Sequence, residues 1–542
     1  MGNRFQIAWV AAAWVVFAVC ALWLTRGGIS LDTDSALRLV QVRDLLAGQG
    51  WFDTTQHRMN TPDGLSMHWS RLVDGPLALM AALVSERFAL MAWPLLCLAA
   101  VLAMLARIAF VLGGRAAMIT VLLLALLCTE IYGGFAPGNI DHHALQMALM
   151  LAALLALVEQ RPILAAAAVA LGLGVGLESL PYALAATAIA ALWLKDDAAR
   201  AGRFGLSLAV LAPVLLLAAS AYRAAPVCDS YSVLHAVLLA VGGGGIAGIS
   251  RLSRHRLVAF AGLAAVLLAL AALMNPACFA GPYAGMDARI RTIFLARINE
   301  ARPVWEFLQL APSQTVGGFL YAVFALMLCL FAPPGRARNC VIVFAAAALA
   351  VATFQIRGVS FAILFALPGL AAALTHLLLP RGIVWLAAAI LLGNSGAFTL
   401  AGVALEGPQR VEKRVMAFKS QVDCGSAAAM ARLVVQPAGR VAGFVDQGPA
   451  ILAYTKHSAI AGPYHRNQAG ILDTYDIFAG SNARAVLQRR GIDYLMICRA
   501  APDWDFYRQH GGLVAQLATG QVPEWLTPLG KSGEAELYRI NR

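Results

Sequence analysis

The chain has 542 residues, 60% of them hydrophobic and 13% charged, with a mean hydropathy of +0.72. Soluble domains carry about 25% charged residues, so this composition excludes a soluble globular enzyme and implies a polytopic membrane protein. The formal net charge of +12 does not read as a nucleic-acid footprint. Arg115, Arg161, Lys195, Arg200, Arg203, the RLSRHR stretch from Arg251, Arg336, Arg338 and Arg381 lie in short loops between alternate pairs of apolar runs, as the positive-inside rule requires.

A hydrocarbon core takes roughly 20 apolar residues per helix, and runs of that length predict about thirteen spans. They fall near 6–25, 89–112, 116–131, 142–158, 162–177, 181–195, 204–222, 233–250, 257–274, 314–331, 339–355, 360–378 and 383–404. The first run lacks a small-residue cleavage site and reads as a retained anchor. Pro76 to Arg87 reads as a further helix lying along the interface. With Arg4 inside, the odd number puts the C-terminal stretch outside, which in a bacterium is the periplasm. Residues 1–404 are thus expected to form a transmembrane unit with long first (27–75) and fifth (275–313) outer loops. Residues 405–542 are expected to form a periplasmic domain, and alternating apolar and helix-like stretches suggest it is α/β. The Ala/Leu/Arg-rich composition points to a GC-rich bacterial genome, hence to a bacterial inner membrane. VGGGGIAG from Val241 reads as close helix packing, not as a nucleotide loop.

Cys20, Cys97, Cys128, Cys329 and Cys340 fall in or beside spans and read as small apolar residues. Cys228, Cys278, Cys424 and Cys498 all land on the outer side, where disulfides persist. Cys424 with Cys498 would staple the soluble domain, and Cys228 with Cys278 would tie two outer loops.

The conspicuous polar residues also gather on that side. The first outer loop opens with LDTDSALRLV, carrying Asp32 and Asp34. A short outer turn before the fourth span reads NIDHHALQ, with Asp141, His142 and His143. The fifth outer loop carries Asp287, Arg289, Arg291 and Glu300, and Arg357 lies just outside the eleventh span. Acidic residues two apart, with an Asp-x-His, supply oxygen and imidazole ligands to a divalent ion able to neutralise a phosphate leaving group. Each motif alone also reads as a helix cap. Their shared side favours metal binding, with His142 the weaker neighbour because it falls outside the i, i+2 pattern.

Together these residues resemble the GT-C superfamily of membrane glycosyltransferases, specifically the oligosaccharyltransferase catalytic-subunit group. The resemblance rests on Asp34 followed by SALRLVQVRDLL, on DHHALQ, and on the TPDGLSMHW stretch of the first outer loop. It implies a metal held by Asp34, Asp141 and His143, with Asp32 as a looser partner. It also implies a donor phosphate near Arg357, and acceptor orientation or deprotonation by Asp34 with Glu300 assisting. Mn²⁺ and Mg²⁺ both suit such ligands. Where the group carries Trp-Trp-Asp-Tyr-Gly, this chain has Phe444, Val445, Asp446, Gln447 and Gly448, which argues against selection of an asparagine sequon. Asp446, Tyr464 and His465 are the acceptor-side candidates.

The expected activity is inverting transfer of a saccharide from a polyprenyl-phosphate or polyprenyl-pyrophosphate donor to a protein or glycan acceptor in the periplasm. One alternative keeps the fold and modifies lipopolysaccharide or capsule polymer. Another is a lipid-linked sugar flippase or transporter, for which Glu178 is the nearest intramembrane acid. Membrane lipid is an expected partner, and nucleic acid is not.

Overall fold

Apolar segments with no water to solvate their backbone must close their hydrogen bonds internally, and here they do so as helices. The computed structural model describes residues 2–26, 28–281, 283 and 285–541; Gly27, the start assigned to the first outer loop, lies outside them. Eight helices are each long and apolar enough to cross a bilayer, and the pair Ile383–Leu392 and Ser395–Glu406, bent by 49°, can serve as a ninth crossing. His143–Val158, Pro162–Val175 and Val233–Ile249 are shorter apolar helices on three more of the predicted runs. The second and third runs belong to one long helix, Glu86–Leu126, broken at Gly113 and Gly114. Gly114 has φ +72°, a conformation glycine adopts without a Cβ penalty. The protein is a multi-pass membrane protein.

Helix packing follows from small residues. The Val233–Ile249 helix meets Ala198–Ala219 where Gly243 and Gly205 face each other, and a Cβ on either would lie 2.5 Å from the other's carbonyl oxygen. VGGGGIAG is therefore a packing surface. Arg256–Met274 buries none of its residues, and Leu257 and Leu273 are more than four-fifths exposed. Leu263 and Leu267 rest on the Val233–Ile249 helix at Gly245 and Gly242, and an apolar helix so little covered faces lipid elsewhere.

The segment expected as the first outer loop is more ordered than a loop. It holds the helix Thr33–Leu46 and an antiparallel hairpin of Thr55–Gln56 with Leu65–Ser66. The helix expected from Pro76 instead spans Arg71–Leu83, because Ser70 caps it by accepting from the Leu72 amide (3.3 Å) and Pro76 is tolerated inside. The fifth outer loop likewise folds into short pieces, among them Ala288–Ile293 and Val304–Leu310.

Beyond the last apolar helices, Pro408–Cys424 leads into a five-stranded mixed sheet flanked by helices. Its order is Ser458–Ala459, Arg440–Ala442, Tyr494–Cys498, Ala535–Ile540, Leu526–Ser532; the first two pairings are parallel and the last two antiparallel. Disulfides join Cys424 to Cys498, and Cys228 to Cys278. The hairpin loop of the first outer segment is stitched to this sheet. The Ala459 amide donates to Arg58 O (2.8 Å), and the Arg58 guanidinium donates to the carbonyls of Leu452, Thr455 and His457.

Candidate functional site

Two turns meet at one end of the bundle, the end that carries the C-terminal sheet. Asp32 caps the Thr33–Leu46 helix by accepting from the Ser35 amide at 2.6 Å, so capping is its structural role. Ser35 Oγ in turn accepts from the Ile140 amide at 3.2 Å, which holds the DTD turn against the DHH turn across more than a hundred residues of sequence. One helical turn beyond Asp34, Arg38 reaches the same place: its Nη1 donates to Asp74 Oδ1 (2.6 Å) and its Nη2 lies 3.7 Å from Asp141 Oδ1. Its guanidinium lies 4.5 Å from the centre of the Trp69 ring.

Asp141 is buried, and each of its carboxylate oxygens contacts one imidazole, His142 Nδ1 on one side and His143 Nδ1 on the other. Burial alone would raise its pKa, but the two imidazoles hold the carboxyl well below the usual carboxylate range. Asp34 moves the other way. Burial, then the charges of Asp141, Asp32 and Glu300, push its carboxyl well above the ordinary value. Carboxylates crowded in this way would be relieved by a divalent cation, and the mixed oxygen and imidazole donors suit one.

Among the described residues, Asp141, His142 and His143 form one tight group of possible ligands, with ligand atoms within 4.8 Å of one another, and His68, Asp229 and His465 form another. The sequence expectation named Asp34, Asp141 and His143, with His142 the weaker neighbour. His142 belongs to the cluster because it caps the His143–Val158 helix at the turn itself, so both rings stack, with centroids 4.3 Å apart. Asp34 lines the same cavity but stands outside that tight group.

Glu178, set aside in the sequence as a transporter feature, sits at the centre of the next layer. Its Oε2 is 3.0 Å from His143 Nε2 and its Oε1 accepts from Arg357 Nη1 at 2.5 Å. The break between Pro162–Val175 and Leu180–Asp196 turns it inward. Glu300 is 57% exposed and its Oε1 is 3.9 Å from Arg357 Nη1, so it stands beside the arginine predicted to meet phosphate.

Two cavities open from this point, and Asp34, Phe294, Ile298, Glu300 and Pro463 line both. One, of about 710 Å³, runs among apolar residues of the helices, including Leu173, Leu234, Leu238 and Phe361. The other, of about 440 Å³, lies against the soluble domain and is edged by Arg297, Gln421, Asp446, Asp503, Tyr475 and Tyr507. The expected acceptor group therefore divides. Asp446 lines the polar cavity, whereas Tyr464 and His465 line the apolar one, because the Tyr464 hydroxyl donates to Thr33 O (3.2 Å) and His465 Nε2 contacts Asp229 Oδ2 (2.6 Å).

Asp446 has a testable electrostatic signature. Burial, then the charge of Asp503, push its carboxyl up to about 7, against the opposing effects of Arg297 and the Gln421 amide. A carboxyl whose pKa is higher folded than unfolded favours the folded state at low pH, and that contribution is lost between its ordinary value and about 7. The C-terminal sheet region should thus lose stability as pH rises through that window. Asp446→Asn should flatten the dependence, as read by thermal unfolding from pH 4 to 8; an unchanged slope would refute the assignment.

No family model matches the chain, and no curated protein matches it. Solved structures do. The oligosaccharyltransferase AglB of Archaeoglobus fulgidus, in complex with an inhibitory peptide and a dolichol-phosphate, superposes with a TM-score of 0.63 at 13% identity, over 91% of this chain and 70% of that one. The same archaeal enzyme tethered to an acceptor peptide gives 0.61 at 14% identity, over 92% and 70%; its complex with Zn and sulfate gives 0.54 at 15%, over 90% and 68%. The chain therefore has the GT-C fold of the oligosaccharyltransferases.

Proposed function

We propose that the protein is a membrane glycosyltransferase that moves a saccharide from a polyprenyl-linked phosphate donor to an acceptor in the bacterial periplasm. The observation that carries this reading is the junction of the two cavities at Asp34 and Glu300, one apolar and among the helices, the other polar and against the soluble domain. A lipid-linked donor needs the first and a water-borne acceptor the second. Thirteen crossings, with residues 405–542 outside, would place both openings on the periplasmic side. The archaeal neighbour's complexes with dolichol-phosphate, an acceptor peptide, and Zn and sulfate support the same classes of ligand.

In this reading Asp141, His142 and His143, with Asp34 closing in, would hold Mn²⁺ or Mg²⁺. When bound, that ion supplies positive charge for the departing phosphate. Arg357 presents a guanidinium to the same phosphate, and a fixed fork suits its oxygens. Asp34 and Glu300 orient the acceptor and take its proton at a carboxylate oxygen. The acceptor approaches from the polar cavity, opposite the phosphate, so attack inverts the anomeric carbon. Arg38 fixes Asp141 from behind through its contact with the carboxylate.

The acceptor is a glycan or lipid-borne saccharide on a second reading, favoured by one observation. Where the sequon motif has two tryptophans and a tyrosine, this chain has Phe444, Val445 and Gln447, and the polar cavity beside them is edged by Asp446, held by the Gln421 amide, with Asp503 and two tyrosines. Carboxylates and tyrosines suit sugar hydroxyls.

Purified protein supplied with polyprenyl-linked sugars and periplasmic extract tests the reading. Release of lipid phosphate together with a labelled glycan product is expected, and Arg357→Ala should slow it by about 10²-fold or more. Consumption of no lipid-linked sugar under metal-replete conditions would overturn it.

A further inference from the structure

The polar cavity ends in a corner that the transfer chemistry does not use. Asp503 and Tyr507 stand four residues apart on the Pro502–His510 helix and so share a face, and Asp446 joins them from the short turn Val445–Gln447. Asp503 Oδ1 accepts from Arg297 Nη2 at 2.7 Å, and Asp446 Oδ2 accepts from the Gln421 amide at 2.6 Å. That leaves Asp446 Oδ1 and Asp503 Oδ2 without a hydrogen-bond partner among the described residues. Tyr507 is 3% exposed, and its hydroxyl is likewise unpartnered among the described residues. None of the three oxygens is sealed from solvent, and all three residues line the cavity.

Among the described residues that line this cavity Arg297 is the only basic one, and its charge acts on Asp446 as well as on Asp503. Asp32, Asp34 and Glu300 line the cavity too, but they are answered at its other end. His142, His143, Arg357 and the proposed ion act on them there, and those three side chains line the apolar cavity and not this one. Arg499 and Arg508, beside and on the same helix, pair with Glu536 and Asp505. Two carboxylates sharing one guanidinium leave room for one more cation. The Asp446 carboxyl, pushed up to about 7 by burial and then by Asp503, holds a proton part of the time near neutrality, and a bound cation would take its place. Among the described residues Asp446 and Asp503 belong to no group of three metal-ligating side chains, so the pair suits an ammonium better than a metal ion. An ammonium has three N–H donors and no acceptor, which matches two free carboxylate oxygens and a hydroxyl. The rings of Tyr475 and Tyr507 beside them also favour a cation.

We propose that this corner binds a free amino group of the acceptor, which is therefore an amine-bearing saccharide. The inference rests on the glycosyltransferase reading and its saccharide acceptor, and names the acceptor class. The ammonium keeps its protons and is not the nucleophile. A hydroxyl of the acceptor forms the bond to the anomeric carbon, and the bond from that carbon to the phosphate oxygen breaks. Its electron pair leaves with the oxygen, and the hydroxyl's proton goes to Asp34 or Glu300. An N-acetyl group in the same corner would bring a carbonyl oxygen against the carboxylates and leave their charge unanswered.

Calorimetry on the full-length protein in detergent tests this at neutral pH, with a short glucosamine oligomer and its fully N-acetylated counterpart of equal length as probes. Wild type should bind the free-amine oligomer at least ~10-fold more tightly, the difference that a hydrogen bond between charged groups supplies. Asp446→Asn should bring the two within ~3-fold by weakening the free-amine form alone, and Tyr507→Phe, which keeps the ring, should cut the preference by ~3-fold. Asp446→Glu keeps the charge and should keep the preference, which separates a charge effect from a disturbed fold. A lysine-containing peptide should bind more weakly than the glucosamine oligomer. No binding or equal binding of the two oligomers by wild type, a folded Asp446→Asn variant with the wild-type ratio, or tighter binding of the peptide overturns the proposal. In transfer assays, equal rates to free-amine and acetylated acceptors overturn it alone, whereas the expected binding preference with no transfer from any lipid-linked donor overturns the glycosyltransferase reading alone.

Discussion

Replacing Asp141 by alanine should lower sugar transfer by on the order of 10³-fold while leaving the protein inserted and folded. The expectation follows from its position. One carboxylate joins His142, His143 and Arg38, so removing it deprives both imidazoles of their common anion and the proposed cation of its buried oxygen ligand. The two measurements are glycan release and Mn²⁺ binding by calorimetry, and both should fall together. Asp141→Asn keeps the volume and should recover little, because an amide oxygen supplies no charge. Near-normal transfer in either variant would remove the turn from the reaction. Membrane insertion is the control, and it is expected to be unaffected because Asp141 lies outside the His143–Val158 helix.

Arg38→Leu is expected to have the largest effect on stability. Arg38 and Asp74 are both fully buried and joined at 2.6 Å, and Arg71 meets the other oxygen of Asp74 at 3.1 Å. Removing one member of a buried pair costs about 3–5 kcal/mol, because the partner keeps its charge without its solvent. Arg71 remains, so the lower end of that range applies. Thermal unfolding in detergent should show the loss as a clear fall in midpoint, and transfer should also decline since Asp141 loses its support. An unchanged midpoint would mean the pair contributes nothing to the first outer segment.

The helical part of the fold was legible because bilayer thickness imposes a length and water imposes a composition. Asp141, His143 and Asp34 were legible for a related reason: short acidic motifs at the ends of apolar runs, on one side, have few roles. Glu178 was not, since it falls between two apolar runs and looks like a span end; its partners His143 and Arg357 are 35 and 179 residues away in sequence. Arg38 could have been found, being four residues after Asp34 and thus on the same helical face. Tyr464 and His465 line the apolar cavity, and nothing in YHRN records that Asp229, 236 residues earlier, takes His465. The helix expected at Pro76 began five residues early because a serine cap outweighs a proline that the second turn can accommodate.

The seam between the Arg58 hairpin and the soluble sheet governs when the molecule can become competent. Arg58 donates to a carbonyl 397 residues further along, at Thr455. At about 5–20 residues per second, a ribosome needs roughly 20–80 s to supply that partner. During this interval the nascent hairpin edge stays uncovered. Completion of the first segment is therefore coupled to synthesis of the sheet, and a product cut short before Thr455 would keep that hairpin edge unpaired.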